Sequence, residues 1–224
     1  MNKLKLTVLS ALVASVVSPA VMAHQQGDII VRAGATMVQP NDDSGKVTVD
    51  ALGTTDMEVS VNSNTQLGLN FQYMLTDEWA IELLAATPFS HDIDLEQSQL
   101  NLGDGKLGET KHLPPTLSAI YYLNTEGAFQ PYVGLGINYT MFFEDDFTEL
   151  RKGQGFSNLE LDDSFGWAAQ IGVDYDLGDN LLLNASYRYI DINTEATFLV
   201  GTSPGRVDVD INPNVYTLSI GYKF

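Results

Sequence analysis

From Asp28 to the final Phe224, apolar residues return at every second position in one segment after another. Extended backbone sends successive side chains to opposite faces, so a period of two marks strands and excludes helices. In Asn64 to Tyr73, Leu67, Leu69, Phe71 and Tyr73 share one face, while Gln66, Gly68, Asn70 and Gln72 share the other. The pattern recurs in Asp28 to Val38, Trp79 to Ala85, Thr116 to Leu123, Phe129 to Met141, Phe165 to Tyr175, Leu181 to Tyr189 and Tyr216 to Phe224. That makes eight strands.

Their connections alternate in length. Residues 76–78, 124–128 and 176–180 are short and carry Gly, Asn and Asp, the residues of tight turns. Residues 39–63, 88–112, 142–163 and 191–214 are long. Aromatics gather at both ends of the apolar faces. Tyr73, Trp79, Tyr121, Phe129, Tyr175 and Tyr222 lie toward the short turns, and Tyr139, Phe165, Trp167, Tyr187, Tyr189 and Tyr216 toward the long loops. A soluble sandwich or lipocalin-like barrel also alternates, but its apolar face points inward. Two aromatic belts instead match two lipid interfaces. The expected fold is therefore all-β: an eight-stranded antiparallel transmembrane β-barrel with short periplasmic turns and long extracellular loops. Closure leaves no strand edge unpaired in lipid. Tyr216, Leu218, Ile220, Tyr222 and the terminal Phe224 form an alternating aromatic ending, the pattern read by the barrel assembly machinery.

The first 23 residues differ in kind. Two lysines precede an apolar run from Leu6 to Val17, Pro19 breaks it, and Val21-Met22-Ala23 suits cleavage. This is the build of a secretory signal peptide (1–23), with a single domain expected over 24–224. The chain has 29 acidic and 11 basic residues and no cysteine. The charge balance argues against nucleic acid as a partner, and disulfides or thiol chemistry are excluded.

Specific strings carry a resemblance: Asn64-Thr-Gln-Leu-Gly-Leu69, Leu83-Leu-Ala-Ala-Thr-Pro-Phe89, His112-Leu-Pro-Pro-Thr116, Pro131-Tyr-Val-Gly-Leu-Gly-Ile-Asn-Tyr-Thr140, Leu161-Asp-Asp-Ser-Phe-Gly166 and Gly221-Tyr-Lys-Phe224. In order and over the whole mature chain, they resemble the OmpW family of small outer-membrane barrels of Gram-negative bacteria. The resemblance implies a narrow, largely apolar interior. It also implies a role in helping small hydrophobic or amphipathic molecules cross the outer membrane, with exit sideways into the bilayer. It implies an apolar constriction between a leucine and an aromatic. Leu84 matches the leucine, but Arg188 stands at the aromatic position, where its alternative is to pair with a loop or lumen carboxylate, which puts a purely hydrophobic gate in doubt.

An eight-stranded barrel holds side chains or one small ligand, not a wide pore. The alternation sends Asp28, Arg32, Glu82, Asp174 and Lys223 inward near the short turns, where they are expected to pair as a plug, since buried charges need partners. Toward the loops it sends Leu84, Ala86, Thr140, Gly166, Ala168, Ser186 and Arg188 inward. Their small size is expected to leave a ligand vestibule. Pro88 and, opposite it, Pro114 and Pro115 cannot donate ladder hydrogen bonds. They mark either a lateral opening or ordinary loop termination.

Of the 29 acids, 21 fall in the four long loops. Clustered carboxylates suit loop-bound divalent cations bridging to lipopolysaccharide, although a solvated acidic surface is the simpler reading. No loop has the spacing of a dedicated calcium site, and no cofactor or metal centre is expected. Catalysis is not expected either. Of three histidines, His24 stands at the mature N-terminus, while His91 and His112 flank the second loop without a triad. The alternative to transport is a surface barrel serving as anchor, adhesin or phage receptor.

Overall fold

The computed structural model describes residues 24–41, 43–55, 57–96 and 105–224; the expected signal peptide lies outside the described residues. Eight long strands form the body: β1 (Ile29–Gln39), β2 (Asn64–Met74), β3 (Trp79–Ala86), β4 (Thr116–Tyr122), β5 (Phe129–Phe147), β6 (Ser164–Gly178), β7 (Leu181–Ile190) and β8 (Asn214–Lys223). Each pairs antiparallel with the next in sequence. Pairs from Ile30↔Lys223 to Gln39↔Asn214 join β1 to β8 and close the ring. Closure satisfies the ladder on both sides of every strand, which hydrocarbon demands.

The period of two decides which face meets lipid. Leu135, Ile171, Leu218 and Ile220 are exposed on the outside, while their neighbours Tyr132, Gln170, Ser219 and Lys223 are buried inside. The outward aromatics pair across strands: Trp79 with Tyr121 at 4.9 Å, Trp167 with Tyr189 at 5.3 Å and Tyr187 with Tyr216 at 5.4 Å between ring centroids. Such pairs stiffen the rims of the apolar band. The turn between β6 and β7 places Asp179 and Asn180 at φ of 53° and 65°, the backbone that two-residue hairpin turns require.

The four long connections differ from the loops expected. Their described residues carry further strands and a short helix, Glu149–Gly153, and build a cap on the barrel. Phe89–Glu96 pairs with Gly105–Leu113, which pairs in turn with the upper part of β5. Asn193–Val200 pairs with Ser203–Asp210 and with Phe156–Leu161. One apolar core runs through this cap, from Phe147, Phe156 and Phe198 down to Ala168, Ile190 and Val215 at the barrel mouth.

Gly172 shows how tightly the lumen is filled. It sits opposite Tyr132 in the β5–β6 register, and a Cβ there would collide with the Tyr132 ring. Substituting Gly172→Val should displace Tyr132 and lower stability by about 1–3 kcal/mol, the usual range for overpacking. Urea unfolding of the detergent-solubilised barrel checks this.

Candidate functional site

Two structures occupy the interior, one above the other. The lower one is polar. Arg32 on β1 donates to Asp174 on β6, with Nη2 2.5 Å from Oδ2 and Nε 3.1 Å from Oδ1. The same guanidinium donates to Asn70 and Gln72 on β2 at 2.9 and 3.0 Å and to the Tyr122 hydroxyl on β4 at 3.0 Å. Tyr122 in turn donates to Asp174 at 2.7 Å. Above them Arg188 on β7 reaches Glu82 on β3 at 2.6 Å and also donates to Gln170. Strands β3 and β7 are four places apart in a ring of eight, so this ion pair joins opposite walls. Arg32 lies 3.7 Å from the second Glu82 oxygen and so connects the two pairs. Asn184 donates to Asp174 at 2.8 Å, and His24 approaches the same carboxylate at 3.2 Å. Arg32, Glu82, Asp174 and Arg188 are all at most 2% exposed.

Of the five charges expected here, Arg32, Glu82 and Asp174 lie at the centre. Partly exposed Asp28 stands 3.8 Å from the buried Lys223. Arg188, expected higher up with the ligand residues, belongs to this network instead. Gln72, Tyr122, Gln170 and Asn184 were missed as network members, yet each falls on the inward parity of its strand. His24 was missed because it precedes the first alternating segment.

The upper structure is an apolar cavity inside the cap, with about 50 Å³ of free space. Its walls include Met57, Val59, Ile93, Leu107, Phe142, Leu159, Ala196 and Phe198. It does not lie among the residues expected to form a vestibule. None of Leu84, Ala86, Thr140, Gly166, Ser186 and Arg188 lines the cavity. Thr140 instead donates to Asn138 at 2.7 Å. Gly166 faces the carbonyl of Asp191 so closely that a Cβ would collide with it. Leu84 and Ser186 sit in the inward columns beside the Glu82 and Arg188 of the network. At Gly166 the small residue accommodates close backbone approach rather than leaving space. Hydrophobic residues of the loops enclose the space instead.

Two histidines belong to the cavity wall. His91 and His112 stack with ring centroids 4.9 Å apart and planes 11° apart. Phe89 lies against His112 at 5.5 Å and Phe142 at 5.7 Å. Burial lowers the pKa of both rings, with the neighbouring Asp92 charge and the bond to Asn62 partly opposing this at His91; His112 falls from 6.5 to about 3.

Beside this wall the barrel ladder is interrupted. Pairing between β3 and β4 stops at Leu84↔Thr116, and pairing between their continuations resumes at Phe89↔His112. Pro88, Pro114 and Pro115 fall in the interval. On the other flank the same register holds on both sides of the two prolines, Thr116↔Asn138 before and Leu113↔Met141 after, and Tyr139 N–H donates to Pro115 O at 3.2 Å between them. The wider gap therefore lies toward β3, whose side has no such bridging bond among the described residues. Tyr216, Leu218, Ile220, Tyr222 and Phe224 form the exposed outer face of the closing strand.

A closed barrel with an apolar exterior, two aromatic belts and a filled lumen is an integral outer-membrane barrel of a Gram-negative bacterium. The family model described as OmpW family matches residues 25–224, and the chain belongs to that family. Outer membrane protein W of Vibrio cholerae is 50% identical over 216 residues, covering 96% of each chain. The crystal structure of OprG from Pseudomonas aeruginosa matches with a TM-score of 0.85 at 45% identity, covering 91% of this chain and 99% of that one. The solid-state NMR structure of AlkL in lipid bilayers matches with a TM-score of 0.66 at 25% identity, covering 90% and 92%.

Two outcomes follow from this geometry. Asp174→Asn leaves Arg32 buried without its full countercharge, which should cost about 3–5 kcal/mol, read as a lower urea midpoint for the folded barrel. The second concerns acid. The unfolded His112 takes up a proton near pH 6.5, whereas the folded ring resists it down to about 3. The unfolded state thus binds more protons across that window, and stability falls as pH drops through it. A His112→Phe variant should show a shallower loss of unfolding midpoint between pH 7 and 4 than the parent protein.

Proposed function

We propose that this barrel admits small hydrophobic or amphipathic molecules into the cap cavity and releases them sideways into the outer membrane. The observation carrying this is the vertical order of three features. An apolar cavity lies in the cap, a charged network crosses the lumen below it, and a break in the β3–β4 ladder flanks the cavity wall. Passage straight through would require an apolar molecule to displace buried ion pairs, which is costly. The interrupted ladder at Pro88 and Pro114-Pro115 gives a shorter route, from an apolar pocket to apolar lipid. In this reading Arg32, Glu82, Asp174 and Arg188 act as the plug, with Asp28 and Lys223 outside its centre. The reading gives the barrel no catalytic role.

The outer face of β8, from Tyr216 to Phe224, serves as the assembly signal in the same proposal. The acidic rim faces lipopolysaccharide. No three His, Asp or Glu residues gather as a cation site among the described residues. A divalent cation at the rim would therefore need lipid phosphates to complete its shell.

The test fills the cavity from within. Ala196 lines it, and Ala196→Leu adds three carbons there. In a deletion strain complemented with this variant, uptake of a fluorescent apolar probe should drop several-fold toward the empty-vector level, with the barrel still folded by heat-shift electrophoresis. Uptake equal to that of the complemented parent would overturn the proposal. If attachment or phage sensitivity alone depended on the protein, the barrel would be a surface receptor instead.

A further inference from the structure

The lateral route has two ends, and one side chain stands between them. The inner end is the cap cavity, where His91, His112 and Phe142 belong to the wall. The outer end is a groove in the lipid face, with about 420 Å³ of free space beside Ile81, Leu117, Ala119, Leu135 and Ile137. Ala119 makes this groove. It is the small residue in an outward row between Ile81 on β3 and Leu135 on β5, and the four large side chains around it are exposed. Leu117 directly follows Thr116, the residue at which the β3–β4 pairing ends. The groove therefore begins where the ladder breaks.

Phe89 sits at the break itself. It follows Pro88 and forms, with His112, the first pair above the interruption. Its side chain points into the cap core and is 1% exposed. The ring lies 5.5 Å from His112 and 6.4 Å from His91 between centroids, and the three planes fall within 33° of one another. Phe89 does not line the cavity; it backs the two rings that do.

The backbone before this ring is held on one side. Thr87 N–H donates to Leu67 O on β2 at 3.1 Å. Toward β4, Pro88 and the facing Pro114 and Pro115 have no N–H to give. The ring makes no hydrogen bond, so turning it about χ1 to another staggered position breaks only dispersion contacts. An apolar molecule that takes its place against His112 restores those contacts, whereas an ion does not.

We infer that Phe89 is the gate of the lateral route: its ring closes the passage from the cap cavity to the lipid-facing groove and sets the width of the molecules that leave. Phe89 acts by size, with the groove at Ala119 receiving what passes. This inference rests on the reading of the cavity as the entrance to a lateral exit.

The test compares two fluorescent apolar probes of different width, naphthalene and pyrene, in the deletion strain complemented with the full-length protein. Phe89→Ala should raise the ratio of pyrene to naphthalene uptake several-fold over the parent. Phe89→Leu keeps most of the buried volume and should move the ratio the same way by less, while Phe89→Trp should lower it. A purely structural role would change the amount of folded barrel on heat-shift electrophoresis and move both probes together, with their ratio unchanged. A ratio at the parent value in every variant that folds, while Ala196→Leu still lowers uptake, would overturn the gate and leave the cavity reading standing. Uptake at the parent level in Ala196→Leu would overturn the route and its gate together.

Discussion

Hydrocarbon offers no hydrogen bonds, and from this the rest of the structure follows. Every backbone N–H and C=O of a spanning sheet must find a partner within the sheet, so the sheet has to close. Eight strands give the smallest common ring, whose interior holds side chains and little else. The β1–β8 register carries that closure through ten residue pairs and ends with Phe224 N–H donating to Ile29 O at 2.8 Å. Once closed, the ring has two unlike faces. The outer one must be apolar throughout, and polar residues of the spanning strands are left to meet inside.

That crowding of polar groups explains the lumen. Arg32, Glu82, Asp174 and Arg188 are charges with nowhere else to go within the membrane span. Their mutual pairing, with Tyr122, Gln72, Gln170 and Asn184 supplying further hydrogen bonds, is what makes their burial tolerable, although Glu82 Oε2 and Arg188 Nε find no hydrogen-bond partner among the described residues. Arg188 illustrates the balance. A hydrophobic constriction would ask for an aromatic at this position. With Glu82 on the opposite wall, an arginine there extends the ionic network upward, and apolar space is displaced from the barrel into the cap.

Much of this could be read from the residues alone. Strict alternation identified the eight strands and their lipid face, because parity on a strand is a geometric fact that tertiary packing cannot alter without a bulge. The same parity identified Arg32, Glu82 and Asp174 as inward charges. Which charge meets which was not legible, because pairing across a barrel depends on strand stagger, and the Arg188–Glu82 pair spans 106 residues of sequence. The cavity was misplaced for a related reason. Glycine and alanine at the barrel mouth suggested space. Gly166 is small because the Asp191 carbonyl passes beside it, so the small residue records contact rather than emptiness.

The cap was read as loops because its apolar residues sit on the opposite face from those of the barrel. Along β5 the outward positions Leu135, Ile137 and Tyr139 are exposed, whereas Phe142 and Phe147 beyond them are buried. Phe142 is buried on the strand's ordinary inward parity, and a register shift between Phe143 and Asp146, with Glu144 at φ of 54°, turns the odd-numbered Phe147 inward as well. The inversion marks where lipid ends. Below it, apolar side chains face outward into hydrocarbon; above it, water surrounds the strands and the same residue types turn inward. The acids obey the same boundary, since a carboxylate is cheap to solvate outside the hydrocarbon. An acidic exterior and an apolar cavity therefore arise from one rule applied on the wet side of the interface. The strands that leave the membrane must form a new core, and a core built from hairpins on a barrel too narrow to be filled further leaves its free space at the cap.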